Sequence, residues 1–510
     1  MKRRAAGAGL GGIALILTGL GAAAVAVPRW LPGLELVGKI HEPVAVHADQ
    51  AELDARNATD PAGAFRAAFD LGSDLFETHF NALDGVGANV GDGSRFTRVP
   101  RADLDGYGQW KTHFPPRTTG PNAESCVDCH NQPTNDGAGR VVANVVRDPF
   151  QRGELRSFIT RNTPHTFAPG AVQRLAEEMT QRLHAIAEHA QATACSRGRP
   201  QRAPLVAKGV SFGVIRARCD RLDTSQVVGV DSDLVVKPFQ WKGSVASLRT
   251  FTRDAFHREL GMQPVELVGA GVDGDFDGVV DEISVGDVTA MTVYLAAQPR
   301  PTTKLELAAL GLQELDASEA ARIRTGEQVF ERAQCSDCHR PALTLRDPIF
   351  REPSVDEHYR DAVLPAGQAP GAVGLDAARP LRFDLSADQP DNRIEVNGAT
   401  IRLGALEKDE RGRALVRLYG DLKRHDMGPG LAERVDEVGT GASVFLTENL
   451  WGVGSTPPYL HDGRATTLTE AILAHGGEAE TSRRAFESLP LDEQRALVAF
   501  LGNLVLFVAE

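Results

Sequence analysis

Two short segments hold the residues best suited to redox chemistry: Cys126-Val-Asp-Cys129-His130 and Cys335-Ser-Asp-Cys338-His339. In C-x-x-C-H the two thiols add across the vinyl groups of a haem, and the His, turned onto the same face one helical step later, reaches the iron. A thiol redox pair needs no trailing His, and a zinc site needs two more ligands nearby. Both copies carry the His, so the spacing predicts two covalently bound haem c groups with His130 and His339 as proximal ligands. Cys195 and Cys219 lie between the motifs and are expected to pair as a structural disulfide in an oxidising compartment. A second chemistry is written in Asp273-Gly-Asp275-Phe-Asp277-Gly278-Val279-Val-Asp281-Glu282, which opens as an EF-hand loop does. Asp273, Asp275 and Asp277 offer carboxylates, Gly278 the sharp turn and Val279 a backbone carbonyl, a hard-oxygen set suited to Ca²⁺. Ser284 stands where the loop normally has its bidentate Glu, so Glu282 or Asp287 must complete the site.

The elements that must position these groups are legible in part. Helical spacing runs from Asp60 to His79, over 169–192 (Val172, Leu175, Met179, Leu183, Ile186), from Ser247 to Leu260 and from Val285 to Ala297. Gln298-Pro299-Arg300-Pro301 breaks the pattern and places a domain boundary nearby. A helix from Ala317 leads into Cys335, a hairpin is expected at about 392–403 around Asn397-Gly398, and helices close the chain at 467–475 and 491–507. The stretch after 197 reads as a loop followed by strand-like alternation. The expected fold is mainly α: two cytochrome c-type haem domains with long loops and a few short strands. Residues 1–30 form a signal peptide or anchor, 31–305 an N-terminal haem domain with an insert at about 169–238, and 306–510 a C-terminal haem domain.

Residues 1–30 place Lys2, Arg3 and Arg4 before the apolar run GAGLGGIALILTGLGAAAVAV, the order of a secretory signal or an uncleaved membrane anchor. The body is therefore expected outside the cytoplasmic membrane, in the periplasm. The 510 residues are 42% hydrophobic and 24% charged, ordinary globular composition that excludes a collagenous, disordered or polytopic membrane protein. A net charge of −13 argues against nucleic acid as a partner and favours a small molecule or a basic docking protein.

The chain resembles the bacterial di-haem cytochrome c peroxidase superfamily. Thr456-Pro-Pro-Tyr459-Leu-His461-Asp-Gly463 is similar to its T-x-P-Y-x-H-D-G motif, and Arg161-Asn162-Thr163-Pro164 to its R-N-x-P turn. Phe239-Gln-Trp241-Lys-Gly243-Ser-Val-Ala-Ser247-Leu248 is similar to F-W-D-G-R-x-x-S-L, with one residue inserted, Lys242 for Asp and Ser244 for Arg. His425-Asp-Met427-Gly428 and His475-Gly-Gly-Glu-Ala479 match strings of its di-haem oxidoreductase/peroxidase branch. The resemblance spans about 126–500.

The resemblance implies site roles. The distal ligand of the C-terminal haem falls fourteen residues after His461, on His475, giving a bis-His site with His339; Met427 is the rival ligand. Phe251 stands where peroxidases have a distal Gln, and Glu259 falls at the catalytic Glu. That carboxylate can move a proton between peroxide oxygens, and His257 and His165 are further candidates for the same pocket. Trp241 matches the aromatic residue between the haems. A Ca²⁺ between the domains is implied at Asn162, Thr456 and Pro458, making one or two calcium ions in all. The implied activity is H₂O₂ reduction at the N-terminal haem, with electrons entering at the C-terminal haem from a small cytochrome c or cupredoxin. The alternatives are a di-haem oxygenase acting on an apolar substrate with O₂, and a non-enzymatic electron-transfer cytochrome.

Overall fold

The computed structural model describes residues 42–507 except 92, 107, 108, 114, 361–373, 388, 389, 391, 392 and 397. The expected signal or anchor at 1–30 lies outside the described residues. Among them no helix is long and apolar enough to cross a membrane.

Eleven helices are described: α1 (Gln50–Thr59), α2 (Pro61–Glu77), α3 (Pro169–Arg197), α4 (Leu248–Ala255), α5 (Val265–Val268), α6 (Val285–Ala296), α7 (Lys304–Ala309), α8 (Ala317–Arg332), α9 (Leu468–Leu473), α10 (Glu480–Ser488) and α11 (Leu491–Leu501). Their starts have local causes. Asp60 accepts from the Gly63 amide ahead of Pro61 at the first helical position of α2, and Ser284 and Asp287 form a reciprocal capping box on α6. The fold is mixed rather than mainly α, with about 35% helix and 15% strand. The strands are short and form small two- and three-stranded antiparallel sheets, many of them after residue 340. Their period-2 patterns last only two to four residues between Gly and Pro turns there, too brief to stand out in a sequence.

The expected hairpin at 392–403 forms by pairing Arg393–Val396 with Ala399–Arg402. The closing helix ends at Leu501 instead of running to 507, because Leu504–Val505 turns back to pair with Thr302–Thr303. In the insert, α3 packs on a hairpin of Gln201–Ala207 and Val210–Ala217, whose turn Lys208-Gly209 has positive φ at both residues. The Cys195–Cys219 disulfide ties the end of α3 to the loop after that hairpin.

Two apolar cores organise these elements. The larger joins α2, α3 and α6 with Leu343, Leu345, Phe350 and Trp451 from the second half of the chain. The smaller packs α8 against α11 through Phe330 and Phe500, with ring centroids 5.3 Å apart. Gly326 permits that approach, since a Cβ there would lie 1.9 Å from the Ala496 carbonyl oxygen.

Candidate redox site

Each C-x-x-C-H segment folds as a single 3₁₀ turn, Cys126–Asp128 and Cys335–Asp337, opening onto an apolar cavity. The first turn is fixed by Asp128, whose carboxylate accepts from the Ser125 and Glu124 amides at 3.1 and 2.8 Å. The first cavity, about 270 Å³, is lined by Cys126, Cys129 and His130; the second, about 430 Å³, by Cys335, Cys338 and His339. His130 Nδ1 lies 3.2 Å from the Gly137 carbonyl and His339 Nδ1 3.2 Å from that of Tyr419. Nδ1–H donation leaves each Nε2 as the lone-pair nitrogen, the arrangement of a metal-ligating His. Burial pushes both imidazoles down to about 4, so they are neutral and able to ligate. It pushes the Cys126 and Cys129 thiols up to about 12 and Cys335 up to about 11, the opposite of what a thiol redox pair needs.

His475 faces His339 across the larger cavity, with ring centroids 6.4 Å apart. Two imidazoles ligating one ion from opposite sides at ~2 Å place their centroids about 6 Å apart. His475 Nδ1 sits 2.8 Å from the Ala471 carbonyl, so its Nε2 is free as well, and burial lowers its pKa. Met427 lines the same cavity.

The candidates for the smaller cavity separate. Glu259 lines it, on the π-helical turn Phe256–Leu260 that follows α4. Burial raises its carboxyl pKa, opposed by the charges of Arg147 and Arg258. Phe251 lines the same space. His257 does not: two residues earlier on the turn, its ring is buried beside Arg117, where burial and that guanidinium hold its pKa far down. His165 lines both cavities, but both nitrogens are engaged. Nδ1 accepts from the Phe167 amide at 3.1 Å, so Nε2–H donates to the Trp451 carbonyl at 2.9 Å. His165 is thus a strut between the two sites rather than an acid, base or ligand.

Trp241 lines both cavities, its indole N–H donating to the Asn162 carbonyl at 2.9 Å. Thr447, Glu448 and Trp451, none of them anticipated, share that wall. Burial alone pushes Glu448 up to about 7; a lone acid within the apolar run Phe445-Leu-Thr-Glu448-Asn-Leu-Trp451 was the available signal. The wall is braced by ion pairs: Arg147 and Arg161 each reach Glu437 at 2.7 Å, and Arg161 also pairs with Glu433. Lys242, the residue that departs from the family's Asp, is 1% exposed and donates to the Gly441, Ala442 and Val444 carbonyls at 2.9, 3.2 and 2.8 Å. Sequence alone showed it only as a mismatch, because its partners lie 199–202 residues away.

His425 also borders the larger cavity, clamped by Asp421 at 2.9 Å and Glu478 at 2.8 Å. Burial disfavours its charge, but the hydrogen bonds and charges of Asp421 and Cys338 together outweigh that and lift its pKa to about 10. It lies within metal-binding reach of Cys338 and Asp421, yet both its nitrogens are taken. The expected calcium residues are also brought together. Asn162 Nδ2 donates to the Pro458 carbonyl at 2.7 Å while its Oδ1 is buried without a partner, and Thr456 lines the same cavity. Asp273, Asp275 and Asp277 converge on one loop near Glu282.

Two apolar sockets, each with paired thiols and a neutral imidazole, fit haem, and they share an aromatic wall. Residues 409–504 match the family described as "Di-haem oxidoreductase, putative peroxidase", the branch that the sequence resembles. Among solved structures, the chain is similar to a MauG-like protein associated with microbial copper homeostasis, at 16% identity and TM-score 0.26, over 56% of this chain and 76% of that one. It is also similar to the hydrazine synthase of Kuenenia stuttgartiensis, at 16% identity and TM-score 0.30, over 97% of this chain and 100% of that one. No match was found among curated proteins.

Proposed function

We propose that the chain is a periplasmic di-haem c-type oxidoreductase that reduces H₂O₂ at the N-terminal site, with electrons delivered through the C-terminal site by a small cytochrome c or cupredoxin. Its haem domains are 31–305 and 306–510, each binding its haem through the two cysteines and the His of its motif. When bound, haem supplies one-electron redox chemistry and, where a sixth position is open, a place for a small oxidant. His339 and His475 would be the two imidazoles that hold the C-terminal haem. At the N-terminal cavity His130 is the only lining imidazole with a free nitrogen among the described residues, so no second imidazole there would hold the haem. Glu259 stands at that cavity and moves the proton that peroxide cleavage requires. Trp241 spans the wall between the cavities. Ca²⁺ at Asn162, Thr456 and Pro458 pins the two halves at that wall.

The observation that carries this reading is the asymmetry of the two sockets: facing imidazoles in one, and a carboxyl with no second ligating His in the other. The test is peroxide consumption by the holoprotein coupled to oxidation of a reduced donor. Two donor electrons consumed per peroxide support it, and no peroxide-dependent donor oxidation contradicts it. The apolar wall of Phe239, Phe251, Met291 and Leu295 favours a second reading, an oxygenase acting on an apolar substrate, which predicts substrate-dependent O₂ uptake instead.

A further inference from the structure

We propose that the loop Asp273–Glu282 binds Ca²⁺ and that the bound cation locks the turn that carries Glu259. One carboxylate oxygen from each of Asp273, Asp275 and Asp277 lies within 4.8 Å of the others. The backbone has the shape such a loop needs. Gly278 has φ +92 with open space where a Cβ would stand, and Asp273 accepts from the amides of Phe276 at 2.7 Å and Gly278 at 3.0 Å. A second observation points to a missing cation. Asp275 is 0% and Glu282 2% exposed, yet Asp275 Oδ1 and Glu282 Oε1 have no hydrogen-bond partner. Glu282 lies close enough to Asp275 and Asp277 to feel their charges, and its other oxygen accepts from the Gln263 amide at 2.8 Å.

Buried carboxylate oxygens left without partners are costly unless a cation meets them. Two guanidinium groups do so in part: Arg95 reaches Asp277 at 2.7 Å and Arg117 reaches Asp275 at 3.4 Å. Against four carboxylates they leave two negative charges, which one divalent ion neutralises. All the donors are hard oxygens on an irregular loop, which suits Ca²⁺ better than the strict octahedron of Mg²⁺. Glu282 completes the set, because Asp287 is already committed to the Ala48 and Ser284 amides and to His47 at 2.7–2.8 Å.

The loop grips the turn at both ends. Arg117, held by Asp275, donates to the carbonyls of His257 and Gly261, while Gln263 is fixed by Glu282 and by the Gly274 amide at 3.1 Å. Glu259 lies between these anchors. The metal site is independent of the peroxidase reading; only its consequence for catalysis rests on that reading.

The test uses the full-length holoprotein, stripped with chelator and titrated with Ca²⁺ by calorimetry, beside Asp273→Asn and Glu282→Gln. The isosteric Glu282→Gln serves if Asp273→Asn fails to fold. Each variant should lose one equivalent of Ca²⁺ or bind it at least tenfold more weakly, with Ca²⁺ at the Asn162 site unchanged. Hydrogen exchange in peptides covering 257–263 should slow on Ca²⁺ addition in the parent protein and stay fast in the variants. Parental stoichiometry and affinity in the variants, or exchange at 257–263 that ignores Ca²⁺, would overturn the proposal. Neither readout involves turnover, so a chain that fails to consume peroxide leaves the result intact.

Discussion

Glu259 and His257 are two residues apart, yet only one of them reaches the cavity, and the π-helical turn decides which. A helix of regular pitch cannot be told from a widened one by residue type, so the sequence left the pair undecided along with His165. Glu259→Gln should lower kcat/KM for peroxide by ~10²–10⁴ while leaving the visible haem spectrum unchanged. The receptive form is the carboxylate, and burial raises its pKa above the ordinary glutamate value of 4.5. Activity should therefore fall as pH drops through a limb lying above 4.5, and that limb should vanish in the Gln variant. At the other site His475→Ala should abolish the bis-His spectrum of the C-terminal haem and Met427→Leu should leave it intact. The reverse outcome would transfer the ligand role to Met427.

Among the elements, the long helices were legible because α2, α3, α6 and α8 keep an apolar face for several turns. Apart from the hairpin at 393–402, the short strands after residue 340 were not, since their alternation lasts only two to four residues, and neither was helix α10, which buries only Phe486. The insert is bound to the larger core through α3 and closed by a disulfide spanning 24 residues. Cys195→Ser with Cys219→Ser should cost about 3 kcal/mol in the urea unfolding free energy without altering either haem spectrum. Lys242 acts on a different element, the loop at 441–444, where it satisfies three carbonyls and faces Glu433 at 3.6 Å. Lys242→Met should destabilise by about 3 kcal/mol, because it strands buried acceptors rather than a surface pair. A midpoint within error of the parent would show the loop to be held by the arginines alone.

In the whole molecule, the two cavities meet at one wall that draws Asn162, His165, Trp241, Thr447, Glu448 and Trp451 from distant parts of the chain. The two motifs and His475 could be read from spacing and resemblance, because their chemistry depends on local order. On the wall, the sequence pointed to Asn162, His165 and Trp241, whereas Thr447, Glu448 and Trp451 arrive by packing between segments some 280 residues apart, as in the His165–Trp451 contact. Trp241→Phe should slow electron transfer between the sites while both haems remain bound, as stopped-flow reduction of each would reveal. The central claim is the asymmetry of the two sites, and low-temperature EPR of the ferric holoprotein reads it directly. The account predicts one low-spin signal from the site closed by His339 and His475 together with one high-spin signal from the site at His130. Two low-spin signals, unchanged on half-reduction, would mean that both irons are closed and would contradict it.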